Sequence, residues 1–265
     1  MMAASCYDSR GRARLGIVVP VSNTNLEPDM MLLAPRGLSL HFARAGGYDV
    51  DRIPDENQMR QYSDTPVDDI VASLAHCRAD FIIYGCTSAT LAQGPAYDRA
   101  FRANIERIAG VPAVTAAAAL VQVLQALDIE RFAFTSPYVA SLNDLAVDFL
   151  EASGMRCVRR VDAPEPLGNE AVGDMRPEEI IATALGADHP RAQALVISCT
   201  DYRATEAIDE LETRLGKPVI TSNQASMLVA LRRLGIDPGD SPLASQRAAP
   251  AFDRLGAVIQ SEASS

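Results

Sequence analysis

Two cysteines in this chain stand where a thiol can do chemistry. Cys86 lies in Phe81-Ile82-Ile83-Tyr84-Gly85-Cys86-Thr87-Ser88, and Cys199 in Ala194-Leu195-Val196-Ile197-Ser198-Cys199-Thr200-Asp201. In each, a run of four apolar residues reads as a buried strand, and a turn through cysteine and threonine leads away from it. An α/β sheet places its ligands outside the carboxyl ends of its strands, so both thiols fall on the side where a site belongs. Thr87 and Ser88 can cap a helix whose free N–H groups favour an anion and a thiolate. A free thiol titrates near ~8.5, and lowering it by about 1.5 units takes about 2 kcal/mol, the upper end of what a helix N-terminus supplies. Placement is therefore expected to activate the thiol nearly unaided. For a lone cysteine the better reading is a small buried hydrophobe. The repeated placement favours catalysis for the pair, Cys86 and Cys199.

The elements that must hold these turns recur in order. Residues 15–20 read as a first strand, and Asn23 or a neighbour can cap a helix carrying Leu26, Met30 and Leu33 on one face. Residues 38–43 form a second strand. Thr65-Pro66-Val67-Asp68 combines an N-cap, a proline at the first helical position and an acidic capping box. That helix leads into the Cys86 strand. Tyr97, Phe101, Ile105 and Ile108 mark another helix, closed by Gly110, before a short strand at 111–115 and a helical run at 116–127. Then the series starts again, with strands at 131–135, 156–161, 194–197 and 217–221 and helices between them. Ser222-Asn223 reads as the cap of the next helix, and the tail beyond Pro238 as one docked helix and a frayed end. Equivalent elements lie about one domain length apart. The chain thus reads as a duplicated four-stranded βα unit, with Cys86 and Cys199 facing each other across one cleft.

At 265 residues, 48% of them apolar, the chain can bury a core as one large domain or two small ones. A formal charge of −10 argues against nucleic acid and anionic membrane surfaces as partners. It leaves a small anionic substrate open, because local donors decide a pocket. The five cysteines are odd in number, widely spaced and without a CxxC, which argues against a disulfide framework and a zinc site. Residues 1–14 do not read as a signal peptide and no run approaches a membrane span, so a reducing cytoplasm is expected. There is no GxGxxG after a strand, no Walker A loop, no HExxH and no GxSxG. His41, His76 and His189 are scattered, and a Cys–His hydrolase would need His41 to reach a cysteine. Cys77 and Cys157 read as structural.

Asn23, Tyr138 and Asn169 follow strand ends on the cleft side. Neutral amide and phenol donors there suit a carboxylate; capping and loop structure is the competing reading of each. Thr87, Ser88 and Thr200, beside the thiols, complete the expected substrate-binding set. Asp201 would repel an anion unless it turns outward, caps its own helix or pairs with Arg203.

At these residues the sequence resembles the maleate cis-trans isomerases. The likeness runs through Val19-Pro20-Val21-Ser22-Asn23-Thr24-Asn25-Leu26-Glu27, Tyr84-Gly85-Cys86-Thr87-Ser88, Thr135-Ser136-Pro137-Tyr138 and Gly168-Asn169-Glu170. It continues in Ser198-Cys199-Thr200 and Gly216-Lys217-Pro218-Val219-Ile220-Thr221-Ser222-Asn223-Gln224, and so covers roughly residues 14–234. That family belongs to the aspartate/glutamate racemase superfamily, with arylmalonate decarboxylases as relatives.

The resemblance implies an α/β fold of two pseudosymmetric, Rossmann-like parallel-sheet domains, with no cofactor and the active site between them. It implies that the last strand and helices return to the first domain, so that residues 1–115 with 220–265 form one domain and 116–219 the other. It implies a homo-oligomer acting on a small carboxylate or dicarboxylate. In that family the cysteine matching Cys86 adds to the double bond to give a succinyl-cysteine. The C2–C3 bond then rotates, and the thiol matching Cys199 gives or takes the proton. Asn23, Tyr138 and Asn169 match its carboxylate-holding positions. Arylmalonate decarboxylases keep only the second cysteine, so Cys86 argues against that activity. Amino-acid racemases usually carry Asp-Ser after the first strand and Cys-Asn-Thr at the first cysteine; here Val21-Ser22-Asn23 and Cys86-Thr87-Ser88 stand there. Cys199-Thr200-Asp201-Tyr202 is similar to their second motif. An isomerase of a small unsaturated dicarboxylate, a two-cysteine racemase and a non-catalytic carboxylate binder are thus the readings to separate.

Overall fold

The computed structural model describes residues 10–46 and 66–262, which build two four-stranded parallel sheets. In the first, β1 (Arg10–Pro20), β2 (Gly37–Ala45), β3 (Phe81–Tyr84) and β4 (Ala113–Thr115) are ordered β2-β1-β3-β4. In the second, β5 (Arg131–Thr135), β6 (Arg156–Val161), β7 (Ala194–Ile197) and β8 (Val219–Thr221) are ordered β6-β5-β7-β8. The register repeats too. Leu15 stands beside Phe81 and Ile82 beside Ala113, just as Phe132 stands beside Ala194 and Leu195 beside Val219. The duplicated Rossmann-like α/β architecture is thus present strand for strand. The strands β3 and β7 are buried along their whole length, which is why they read as unbroken apolar runs.

Helices cover the sheets. In the first half they are α1 (Leu26–Leu33), α2 (Asp68–His76), α3 (Thr87–Leu91) and α4 (Pro95–Ala109), with α5 (Ala116–Ala126) following β4. In the second they are α6 (Ala140–Glu151), α7 (Asn169–Gly173), α8 (Pro177–Ala187) and α9 (Ile208–Leu215), with α10 (Ser222–Leu234) following β8 and α11 (Ala251–Glu262) as the docked tail helix. Proline opens α4 and Gly110 ends it at φ +69°, the left-handed conformation that glycine adopts without strain.

Two local expectations are corrected. The last strand does not return to the first half: β8 pairs with β7 and completes the second sheet. Only the helix after it crosses over, where α10 packs on α1, β3 and α5. Ser222-Asn223 does not cap α10. Thr221 does, its hydroxyl accepting the Gln224 N–H at 3.2 Å, as Thr115 accepts the Ala118 N–H at 3.0 Å for α5. The Thr65 cap lies outside the described residues; α2 starts at Asp68, with Val67 at the N-cap position. No helix among the described residues is long and apolar enough to cross a membrane.

Candidate active site

The first thiol is placed by a glycine. Gly85 donates its N–H to the Val18 carbonyl at 2.9 Å. A Cβ there would come within 2.2 Å of Leu26 Cδ2 and 2.8 Å of the Val18 oxygen, so no larger residue fits. The chain then extends through Cys86 (φ −127°, ψ 105°), which stands at the N-cap of the five-residue helix α3. The Cys86 sulfur accepts a hydrogen bond from the Ala89 N–H and lies 3.9 Å from Ser88 Oγ.

The second thiol is placed by strain. Cys199 has φ +123°, a left-handed conformation that a side-chain-bearing residue adopts at a cost of order 1–3 kcal/mol. Bonds on both sides hold that turn. The Cys199 N–H donates to Ser222 Oγ at 3.2 Å, and the Thr200 carbonyl accepts from Asn223 Nδ2 at 3.0 Å. Ser222 also receives the Thr87 hydroxyl at 3.1 Å, so one serine on α10 touches both cysteine turns.

Tyr138 lies near both thiols. It sits on the turn after β5, its N–H donating to Ser136 Oγ at 3.0 Å and its carbonyl accepting from Asn143 Nδ2 at 3.0 Å. Its hydroxyl lies close enough to both sulfurs that the charge of either thiolate would be felt there. Burial, with those two sulfurs nearby, pushes the phenol well above its usual range.

The expected activation of Cys86 by its helix is not what the structure gives. Burial pushes the thiol up to about 11, outweighing the bonds from Ala89 and Ser88. The helix α3 is too short to present a full dipole, and the sulfur is removed from water. Cys199 rises to about 12, first through burial and then through the neighbouring Asp201 carboxylate, while Tyr138 pulls it down. The resting site therefore holds two thiols and one phenol, all protonated at neutral pH.

Asn23 and Thr200 meet across the halves. Asn23 Nδ2 donates to Thr200 Oγ1 at 3.0 Å, and Thr200 Oγ1 donates to the Gly85 carbonyl at 2.8 Å. The Asn23 oxygen meanwhile accepts the Leu26 N–H at 2.8 Å and so caps α1, one of the readings the sequence left open. Asn169 is the half-buried first residue of α7, whose last residue, Gly173, accepts a hydrogen bond from Asn25 Nδ2 at 2.9 Å.

Asp201 neither caps its own helix nor meets Arg203, which pairs with Glu206 at 2.8 Å. Its Oδ1 instead accepts the backbone N–H of Thr24 at 2.8 Å and of Asn25 at 3.1 Å, at the start of α1 in the opposite half. Burial raises the Asp201 carboxyl, and those N–H groups lower it.

Residues not singled out from sequence also shape the site. Asp29 on α1 is 5% exposed, and its Oδ2 accepts both Thr205 Oγ1 at 2.5 Å and Asn223 Nδ2 at 2.7 Å. Burial lifts its carboxyl to about 6. Tyr202 is buried close enough to Cys199 to feel its charge. The duplication carried a usable signal: Ser222-Asn223-Gln224 occupy the helix start where the first half has Ala116-Ala117-Ala118. His41 Nε2 is engaged by Ser39 Oγ at 2.9 Å and His76 Nδ1 by the Ala72 carbonyl at 2.8 Å, and the groups that shift the acidity of Cys86 and Cys199 include no histidine. Among the described residues no group of three or more His, Cys, Asp or Glu could hold a metal.

With this geometry, the family model for arylmalonate decarboxylase matches residues 15–244. A maleate isomerase of Nocardia farcinica (strain IFM 10152) is 31% identical over 254 residues, covering 90% of this chain and 98% of that protein. A cysteine-to-alanine variant of the maleate isomerase Iso from Pseudomonas putida S16, solved with maleate, has the same fold: TM-score 0.80, 24% identity, 89% of this chain and 98% of that one. So does a cysteine-to-serine variant of the Nocardia farcinica maleate cis-trans isomerase with a covalently bound succinylcysteine intermediate: TM-score 0.77, 24% identity, 91% and 98%. The chain therefore belongs to the arylmalonate decarboxylase family and is an isomerase of that family.

Proposed function

We propose that the chain is a cofactor-independent cis-trans isomerase of maleate or a related small unsaturated dicarboxylate. The observation that carries this reading is the pair of buried thiols, one from each half, on turns that Ser222 Oγ ties together. Cys86 adds its sulfur to one carbon of the double bond while a proton reaches the other, giving a succinyl-cysteine with a single C2–C3 bond. Rotation about that bond, then loss of a proton and of the sulfur, leaves the trans alkene and restores the thiol. Cys199 is the acid and base at the second carbon. The succinylcysteine belongs to the Nocardia farcinica enzyme and supports the same covalent route here.

Asn23, Thr87, Ser88, Tyr138, Asn169 and Thr200 form the proposed binding set, all neutral donors suited to carboxylates. The hydroxyls of Thr87 and Thr200 are already given to Ser222 and Gly85, so these two would serve through their backbone N–H groups. The packing of α10 on α1 and β3 supports assigning the chain after β8 with residues 1–115, while β8 stays with the second domain that begins at 116. A homo-oligomer and a reducing cytoplasm, which would keep both thiols free, belong to the same proposal.

Incubation with maleate, followed by NMR, should yield fumarate; no turnover across a panel of cis-dicarboxylates would overturn the reading. Cys86→Ser should abolish the covalent mass increase on the intact protein, and Cys199→Ser should let it accumulate. Solvent deuterium entering a saturated Cα–H position, without any adduct, would mark a two-base racemase instead.

A further inference from the structure

The two cysteine turns differ where the halves otherwise match. Cys86 sits in an ordinary extended conformation at φ −127°, while Cys199 is held at φ +123°. The helices that follow the last strand of each sheet differ in step. Both are capped by threonine, Thr115 and Thr221, but where α5 has Ala117, α10 has Asn223. The helix start folds without an amide there, and only the half with the strained cysteine carries one. Asn223 is buried, and its Nδ2 donates both hydrogens. One goes to the Thr200 carbonyl at 3.0 Å, next to Cys199, and the other to Asp29 Oδ2 at 2.7 Å. Asp29 is itself tied by Thr205 Oγ1 at 2.5 Å. A carboxylate and a carbonyl only accept, so the amide nitrogen must face them both. The amide oxygen, Asn223 Oδ1, is left buried without a partner among the described residues. A side chain placed for stability alone would not leave a buried acceptor unmet.

We propose that Asp29 and Asn223 are a positioning pair for Cys199. The carboxylate, on α1 of the first half, fixes which way the α10 amide turns. The amide holds the Thr200 carbonyl, and with it the strained turn. The pair acts through the backbone of that turn and not on the substrate. It rests on the reading of Cys199 as acid and base given above, and adds what aims the thiol at the second carbon. Cys199 is thereby clamped from both sides, by Ser222 on its own N–H and by Asn223 on the next carbonyl. The Thr200 side chain is fixed separately, by Asn23 and the Gly85 carbonyl, so the backbone bond is the one that Asn223 alone supplies. A shift of about 1 Å in a reacting group costs up to about a hundredfold in rate. Relaxing this turn should therefore lower kcat, while KM, set mainly by donors outside it, should change little.

The test reads three quantities: kcat and KM for maleate, thermal unfolding, and the rate at which iodoacetamide alkylates Cys199 relative to Cys86, resolved by peptide mapping. Asn223→Ala copies Ala117 of the first half. It should lower Tm by about 5 °C and kcat by about thirtyfold, with KM within about twofold. Cys199 labelling should rise about tenfold as the turn opens. The exchange of Asp29→Asn together with Asn223→Asp separates positioning from packing. It keeps the buried charge and restores a bond between α1 and α10 with donor and acceptor reversed, but it leaves the Thr200 carbonyl facing an oxygen. Most of the lost Tm should return, while kcat stays low and Cys199 labelling stays fast. Recovery of kcat and labelling along with Tm would overturn the proposal, and so would Asn223→Ala at wild-type kcat and labelling. If the exchanged protein does not fold, Thr205→Val takes its place. With one tether of Asp29 gone, kcat and labelling should each shift about threefold in the same directions, and unshifted values would overturn the pair. If no dicarboxylate is turned over, the functional reading fails, while Tm and Cys199 labelling still decide whether the pair holds the turn.

Discussion

Asp29 shows how much of a site can be hidden at the level of one residue. Its carboxyl is raised from 3.8 to about 6 because burial outweighs the bonds from Asn223 and Thr205. The unfolded chain titrates lower, so the folded state binds the extra proton between those values and stability falls as pH rises from about 4 to 6. Both bonds land on the same oxygen, so an amide can keep them and drop the charge. Asp29→Asn is therefore expected to stabilise the protein by roughly 1–3 kcal/mol above pH 6, and by almost nothing below pH 4. Urea unfolding at pH 4 and pH 8 checks this; an equal effect at both would remove the buried charge as its cause. From sequence, Asp29 is one acid on a helix otherwise marked by Leu26, Met30 and Leu33. The thiols were legible because each follows an apolar run, but their acidity was not. Depth of burial, which sets it, is a property of the assembled halves.

At the scale of elements, the strands were readable because both faces of β3 and β7 are covered, leaving unbroken apolar runs. The start of α10 was not. Thr221 and Ser222 are both good capping residues, and only the structure decides that Thr221 caps while Ser222 turns to the site. The alanines at the start of α5 show what that helix position needs for folding alone. Ser222→Ala would copy them. It would leave the buried Cys199 N–H without its acceptor, with an expected loss of about 1–3 kcal/mol. If the strained turn then loosens, kcat should fall about tenfold or more with KM little changed. Steady-state kinetics beside thermal unfolding tests this; loss of stability with unaltered kcat would reduce Ser222 to a packing role.

Over the whole molecule, the bonds that join the halves gather around the thiols: Asn23 with Thr200, Thr200 with Gly85, Thr87 with Ser222, Asp201 with Thr24 and Asn25. The duplication could be read from two matching series of elements, but these cross-connections could not, because the partners of Asp201 lie in the other half of the chain. With its carboxylate turned to α1, Asp201 should not repel a dicarboxylate. Asp201→Asn keeps an oxygen for the same N–H groups, so stability is expected within about 1 kcal/mol of wild type and the dicarboxylate KM within about twofold. Titration of Cys199 by alkylation should show a lower pKa, since one neighbouring negative charge is gone. A tenfold tighter dicarboxylate would place the carboxylate in the cleft after all.

The backbone angle at Cys199 has a practical side for anyone who engineers this protein. At φ +123° glycine would rest without strain, so relaxation of the fold and retention of the thiol pull in opposite directions at one position. A selection for thermal robustness alone would reward glycine there and return a sturdier protein with its acid removed. Stabilised libraries built on this scaffold should hold residue 199 fixed and screen for turnover in the same round.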